Sequence, residues 1–351
     1  MVASSFLPSP VLFAGLVLIG FRVEGFVMRN TVMRRGVMRL KLYFSLSCFA
    51  LLALAPWAAA QDASTPLSLE KVTDQVWVAV GETLAPSYDN AGHNNNLSVI
   101  IGQDAVVVVN GADNAMLAAR LHAAIRLITP LPVTWVINEN GQGHAVLGND
   151  YWHRQGARII AHRDAVTEIE RRGASVLAAM QTRNQEKAAG TEVFVPDHQF
   201  TDSFNLPIAG LKVQLLHFGK AHSPGDISVW LPDQGVLIAG DIAFSERIPG
   251  VFPDTDVTAW LASYEKMAAL KPKILIPGHG HPTVEAVVRK TTYDYLQYLW
   301  SSSQAVLDAG GGLMAAYEID QSAYAHYDTF EELAVKNAGR VFQQVEAAYF
   351  E

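Results

Sequence analysis

From Leu67 onward, apolar and polar positions follow two alternating periods. Short β-branched and aromatic runs, closed by Gly, Asp or Asn, read as strands at 75–82, 97–102 and 105–110. A helix-period segment follows, with Met116, Leu117, Leu121 and Ile125 on one face and Asp113 as its expected cap. Further strands are expected at 133–138, 157–162, 211–218, 227–232, 235–241 and 273–279. Helices are expected at 148–156, from 164 to about 189 as a polar exposed arm, and at 255–270, 283–308 and 329–351. Two strand-rich halves with helices between them suggest two sheets packed face to face and covered outside by helices. The pattern alone leaves a doubly wound sheet open.

The chain begins differently. Residues 38–60 read as a signal peptide. Arg39 and Lys41 supply the positive start, an apolar run extends from Leu42 to Trp57, and Ala58, Ala59 and Ala60 form a small-residue cleavage site. The run is short of the roughly 20 apolar residues a spanning helix needs, and Pro56 interrupts it. Cys48 has Ser45, not Leu, three positions before it, which argues against lipid attachment. Residues 1–37 hold a second apolar run and four arginines, and are best explained as an upstream extension with the true start at Met38. The expectation is export to the periplasm, or secretion.

Processing changes the charge. The full chain has 26 Lys+Arg and 34 Asp+Glu, a net charge of −8. Six of the basic residues and one acidic residue precede Gln61, which leaves 20 and 33, a net charge of −13. With no basic stripe, this excludes a general nucleic-acid binder. The single Cys lies in the leader, so thiol nucleophiles and thiolate metal sites are excluded as well. The expected partner is a small-molecule substrate or ligand, with no nucleic acid and no membrane after leader cleavage.

The candidate chemistry sits at strand ends. His222 follows a strand in GKAHSPGD, Asp241 closes VLIAGD, and His279 closes KILIPGH. Taken singly, a His after a strand is more often a hydrogen-bonded residue than a ligand, and Gly-Asp is a common turn. Neighbouring strand ends lie close together, however. Two imidazoles and a carboxylate suit a zinc-type ion, which would acidify a bound water.

These blocks resemble those of the metallo-β-lactamase-fold superfamily, in the order AHSPGD, VLIAGD and IPGHG. The resemblance runs from about Val76 to His281. It implies a four-layer αββα sandwich of the α/β (α+β) class over 67–285, with helices 286–351 packed on the same domain. It also implies a one- or two-metal site at the edge where the sheets meet, and hydrolysis of lactam, thioester, ester or phosphoester bonds.

The departure from the family lies in its H-x-H-x-D-H signature, which INENGQGHAVLGN (137–149) replaces. In the register set by Gly148 and Asn149, Asn140 and Gln142 stand at the first two His positions. His144 stands at the Asp and Ala145 at the last His. Asn110 also replaces an Asp that usually ends the preceding strand. Amide oxygens are weak zinc ligands, so an ordinary two-zinc site is not expected. Two readings stay open. In one, a single zinc ion, with iron or manganese as alternatives, is held by His144, Asp241, His279 and His222, and the protein hydrolyses an acyl- or ester-type bond with Asp241 and His144 as catalytic residues. In the other, the pocket binds a ligand without hydrolysis. Asn140 is expected to contribute little to metal binding. His93 is a candidate substitute ligand, and His217 a candidate support for the site. Trp77, Trp230, Trp260 and the run Tyr293, Tyr295, Tyr298 and Trp300 are expected to pack.

Overall fold

The strand Val106–Val109 is four valines, every one buried. A β-branched run buried on both faces belongs inside a layered structure. In the computed structural model, which describes residues 65–350, Val107 and Val109 face one core, and Val106 and Val108 another. The leader and the upstream extension lie outside the described residues.

Seven strands form the first sheet in chain order. They are β1 (Glu70–Lys71), β2 (Val76–Ala79), β3 (Leu97–Ile101), β4 (Val106–Val109), β5 (Val133–Ile137), β6 (Arg158–His162) and β7 (His198–Phe200). Pairing is antiparallel from β1 to β4 and parallel from β4 to β7. The parallel strands are joined by α1 (Ala115–Ile128), α2 (Gly143–Val146), α3 (Asn149–Arg154) and α4 (Arg163–Asn184), as parallel crossovers require.

The second sheet holds β8 (Ser203–Ile208), β9 (Leu211–Leu216), β10 (Ser228–Leu231), β11 (Val236–Phe244) and β12 (Ile274–His279). Strands β8 to β11 form an antiparallel meander, and β12 joins β11 in parallel after α5 (Val257–Ala268). Helices α6 (Glu285–Arg289), α7 (Tyr295–Asp308), α8 (Leu313–Ala316) and α9 (Phe330–Phe350) follow.

The cores confirm the four layers. Val107, Val109, Ile137 and Ile160 meet Val213, Leu215, Val229 and Ile238 between the sheets. Leu117, Leu121, Ile125 and Trp152 cover the outer face of the first sheet. Trp260, Tyr264, Tyr295 and Phe342 lie on the opposite side, and most of that group packs with Leu237 and Leu275 of the second sheet. Trp260 is fully buried, its ring nitrogen donating to the Ile242 carbonyl at 2.9 Å. Tyr295 is buried, while Tyr293, Tyr298 and Trp300 pack at the edge of the same core.

Three local details differ from the sequence expectations. Asn114, not Asp113, caps α1, accepting the Leu117 N–H at 2.9 Å. Strands β1, β7 and β8 were not anticipated because they are short or mostly exposed, with little apolar pattern. Strand β11 does not stop at Asp241. It passes through an irregularity at Gly240, where φ is +64°, and continues to Phe244. Such a bulge re-aims the next side chain, here Asp241. Among the described residues, no helix is long and apolar enough to cross a membrane.

Candidate metal centre

Asp241 is the hub of the site. It is 1% exposed, and three imidazoles point Nε2 at its carboxylate. His279 lies 3.3 Å away, His144 3.4 Å and His222 3.9 Å. One ligand atom each from His144, Asp241 and His279 fall within 4.8 Å of one another. The site lies where the two sheets meet, with His144 from the loop after β5 and the others from the second sheet.

Backbone and small residues hold these groups in place. A Cβ at Gly278 would lie 2.2 Å from Asp241 Oδ1, so only glycine leaves room for the carboxylate. The turn carrying His222 is tied by Asp226, which accepts Ser223 Oγ–H at 3.0 Å and the Ser223 N–H. Thr255 donates to the His222 carbonyl at 2.8 Å. Asn96 reaches across from the first sheet and donates to the carbonyls of Pro277 and Gly280 at 2.8 and 2.7 Å. His279 Nδ1 meets the Asn94 carbonyl. That contact assigns the proton to Nδ1 and leaves the Nε2 lone pair facing Asp241.

The donor atoms fit a cation better than they fit one another. His144 Nε2, Asp241 Oδ1 and Glu139 Oε1 are buried without a hydrogen-bond partner. Buried polar atoms are rarely left so. A tetrahedral ion with bonds of about 2.0–2.2 Å sets its ligand atoms roughly 3.3–3.6 Å apart. The spacings of His279 and His144 from Asp241 match that, and His222 stands slightly wide of it.

Charge is distributed unevenly. Burial drives His222 and His279 down to about 4, with the Arg247 charge adding to the effect at His279. Both are therefore neutral, as metal ligation requires. Burial opposes protonation of His144, yet the Asp241 and Glu139 carboxylates outweigh it and raise the imidazole to about 10. Asp241 is held well below the ordinary carboxylate range; burial works against this, but His144 and His279 prevail.

Sequence reasoning passed over several residues here. Glu139 is 2% exposed, with Oε1 3.5 Å from His144 Nε2. Burial, then the Asp241 charge, push it up to about 7. It ends a strand run like the other candidates, and that signal was available. Asn140 touches the hub: its amide donates to Asp241 Oδ2 at 3.1 Å. Arg247 lies beside His279 at 3.4 Å, is 8% exposed, and has an Nε without a hydrogen-bond partner.

The remaining candidates separate from the centre. His93 is half-buried, its imidazole driven down to about 4 by desolvation, and it does not line the cavity above the cluster. His217 stacks on His162 at 3.8 Å and meets the Asp226 carbonyl at 2.9 Å, supporting the His222 turn from behind. His281 is exposed and pairs with Glu246. Ala145 is fully buried among Leu147, Ile169 and Met180. The cavity, of about 350 Å³, is lined by His144, His222, His279, Arg247, Phe244 and Phe252, among others.

A family model for the metallo-beta-lactamase superfamily matches residues 146–279. A type 2 metallo-beta-lactamase of Bacteroides fragilis is 27% identical over 202 residues, covering 54% of this chain and 78% of that protein. Over this stretch the chain is similar in sequence to the metallo-β-lactamase superfamily, and it shares that fold. A linear primary-alkylsulfatase of a Pseudomonas species is 33% identical over 132 residues, which cover 34% of this chain and 25% of that protein. Among solved structures, a metallo-beta-lactamase from Pontibacter korlensis has a TM-score of 0.52 at 18% identity, covering 66% of this chain and 99% of that one. That likeness shows the fold. The family match opens one residue after Ala145, so the altered positions 140–145 lie outside it.

Proposed function

We propose that the chain is an exported metal-dependent hydrolase that cleaves an acyl- or ester-type bond of a small molecule at a mononuclear centre. His144, Asp241 and His279 hold the ion, and His222 stands at its edge. The observation that carries this reading is the convergence of three Nε2 atoms on one buried carboxylate, with donor atoms left without hydrogen bonds. Similarity to the superfamily supports hydrolysis. The relatives are named for a β-lactamase and an alkylsulfatase, so their names do not choose the substrate.

The chemistry such an ion supplies is water made acidic near neutral pH and a polarised oxygen at the bond under attack. The chain does the rest. Asn94 fixes the His279 ring through Nδ1. Phe244 and Phe252 exclude water from one side of the cavity, and Arg247 presents positive charge from its wall. A substrate with an anionic group beside its scissile bond fits that wall. A cavity of about 350 Å³ suits a small molecule.

The second reading, a metal-free ligand-binding pocket, is favoured by one observation: the Asn140 amide already bonds Asp241. Elemental analysis of protein purified with zinc, iron or manganese supplied separates the two. The expected result is about one equivalent of metal, with hydrolysis of an ester, lactam or sulfate-ester panel lost on chelation. Folded protein that takes up no metal from any of these media would sink the hydrolase reading.

A further inference from the structure

We infer that Glu139 is a fourth protein ligand of the ion, replacing from a new position the carboxylate lost at residue 144. The inference rests on the metal-centre reading above. Four observations carry it. Glu139 Oε1 lies 3.5 Å from His144 Nε2, the same nitrogen that faces Asp241 at 3.4 Å. Both spacings from His144 match neighbouring vertices around one small ion, although Glu139 stands outside the group of His144, Asp241 and His279, whose ligand atoms lie within 4.8 Å of one another. Glu139 is 2% exposed, and Oε1 has no hydrogen-bond partner.

The fold also makes room for this carboxylate. Gly240 has φ +64°, and a Cβ there would lie 2.2 Å from Glu139 Oε2. Asn110, itself at φ +72°, accepts the Glu139 N–H at 3.2 Å. Ile227 donates its N–H to the Glu139 carbonyl at 2.8 Å. The Glu139 backbone is thus held from both sheets while Oε1 is left free.

Charge balance points the same way. Two carboxylates, Glu139 and Asp241, are buried together beside the imidazoles of His144 and His279. Buried charge requires a partner. A divalent cation bound by two carboxylates and two imidazoles gives a neutral set, and these donors suit zinc, manganese or iron. Relative to the family signature, an imidazole has entered at 144 and a carboxylate has appeared at 139.

The rival account is structural: Glu139 only pairs with a protonated His144 and never touches the ion. Cobalt(II) separates the two, because its visible absorption reports the ligands themselves. Full-length processed protein, stripped by chelation, is titrated with cobalt(II) and with zinc(II), alongside Glu139→Gln and Glu139→Asp. Circular dichroism of the stripped proteins checks that each is folded. The expected result is one site in the unmodified protein. Glu139→Gln should bind at least 100-fold more weakly, with altered cobalt bands at saturation. Glu139→Asp should fall between the two. A Glu139→Gln variant with the parent's cobalt spectrum would overturn the inference and leave the metal centre standing, whatever its affinity. If Glu139→Gln fails to fold, Glu139→Asp decides, since an unchanged spectrum there is equally fatal. No binding by the unmodified protein would overturn the centre and this inference together.

Discussion

The two sheets contribute to the site in different ways. The second sheet brings His222, Asp241 and His279, with hydrogen bonds to the Ser223 N–H and the carbonyls of His222, Pro277 and Gly280 fixing the backbone beside the two histidines. The first sheet brings the segment 138–145, in which Asn140 and His144 reach Asp241 at 3.1 and 3.4 Å and Glu139 lies 3.5 Å from His144. One side is a fixed frame and the other a rebuilt surface. Divergence of a metal site therefore need not spread over all its ligands. It can be confined to one loop while the frame opposite holds the geometry.

The largest test of that contrast is Asp241→Ala, which removes the hub of the frame. Binding of zinc should fall below detection by elemental analysis after dialysis. Retention of a full equivalent would show that the loop alone makes the site. Gly240→Ala comes next. It forces a left-handed φ on a residue with a Cβ and drives that Cβ into Glu139. The cost should be about 2–4 kcal/mol, read as a lowered urea midpoint; an unchanged midpoint would mean that the bulge is soft.

Smaller effects test the loop. Asn140→Ala removes the amide that donates to Asp241, and zinc affinity should drop by about 10-fold, at the low end for such supporting partners. A rise in affinity would instead mark Asn140 as a plug that the ion must displace.

The smallest effect concerns pH. Burial pushes the Asp113 carboxyl up to about 6 against the opposing charge of Arg183. The folded state then keeps a proton that the unfolded chain has lost above about 4. Stability should fall as pH rises from about 4 to 6 and level off beyond, by at most about 1.4 kcal/mol per pH unit from this one group. Asp113→Asn should flatten that slope in thermal melts compared across the range. An identical slope would show that Arg183 holds the carboxylate charged throughout.

Much of this was legible in the sequence, and the exceptions share a cause. The valine run of β4 and the three blocks around His222, Asp241 and His279 announce the layers and the frame, because strand periodicity and strand-end polar residues are local signals. Glu139 was hidden by register: matching 137–149 to a known signature drew attention to 140–145 and away from its neighbour. Asp113 was expected as a cap, yet Asn114 takes that role and leaves Asp113 for Arg183. Asn96 belongs to a polar run that reads as a turn, and its partners at Pro277 and Gly280 cannot be seen from local pattern.

That Asn96 splint has a consequence for how the molecule comes into being. Its partners lie 181 and 184 residues away along the chain. Closing so long a loop is slow, since its entropy must be surrendered before the contacts reward it. The first sheet is complete by Phe200, whereas His279 and the carbonyls of Pro277 and Gly280 come from β12 and the turn that follows it. Until then Asp241 lacks the imidazole of His279, which faces it at 3.3 Å once the last strand is in place. Assembly of the centre is therefore a late event, coincident with the docking of one sheet on the other.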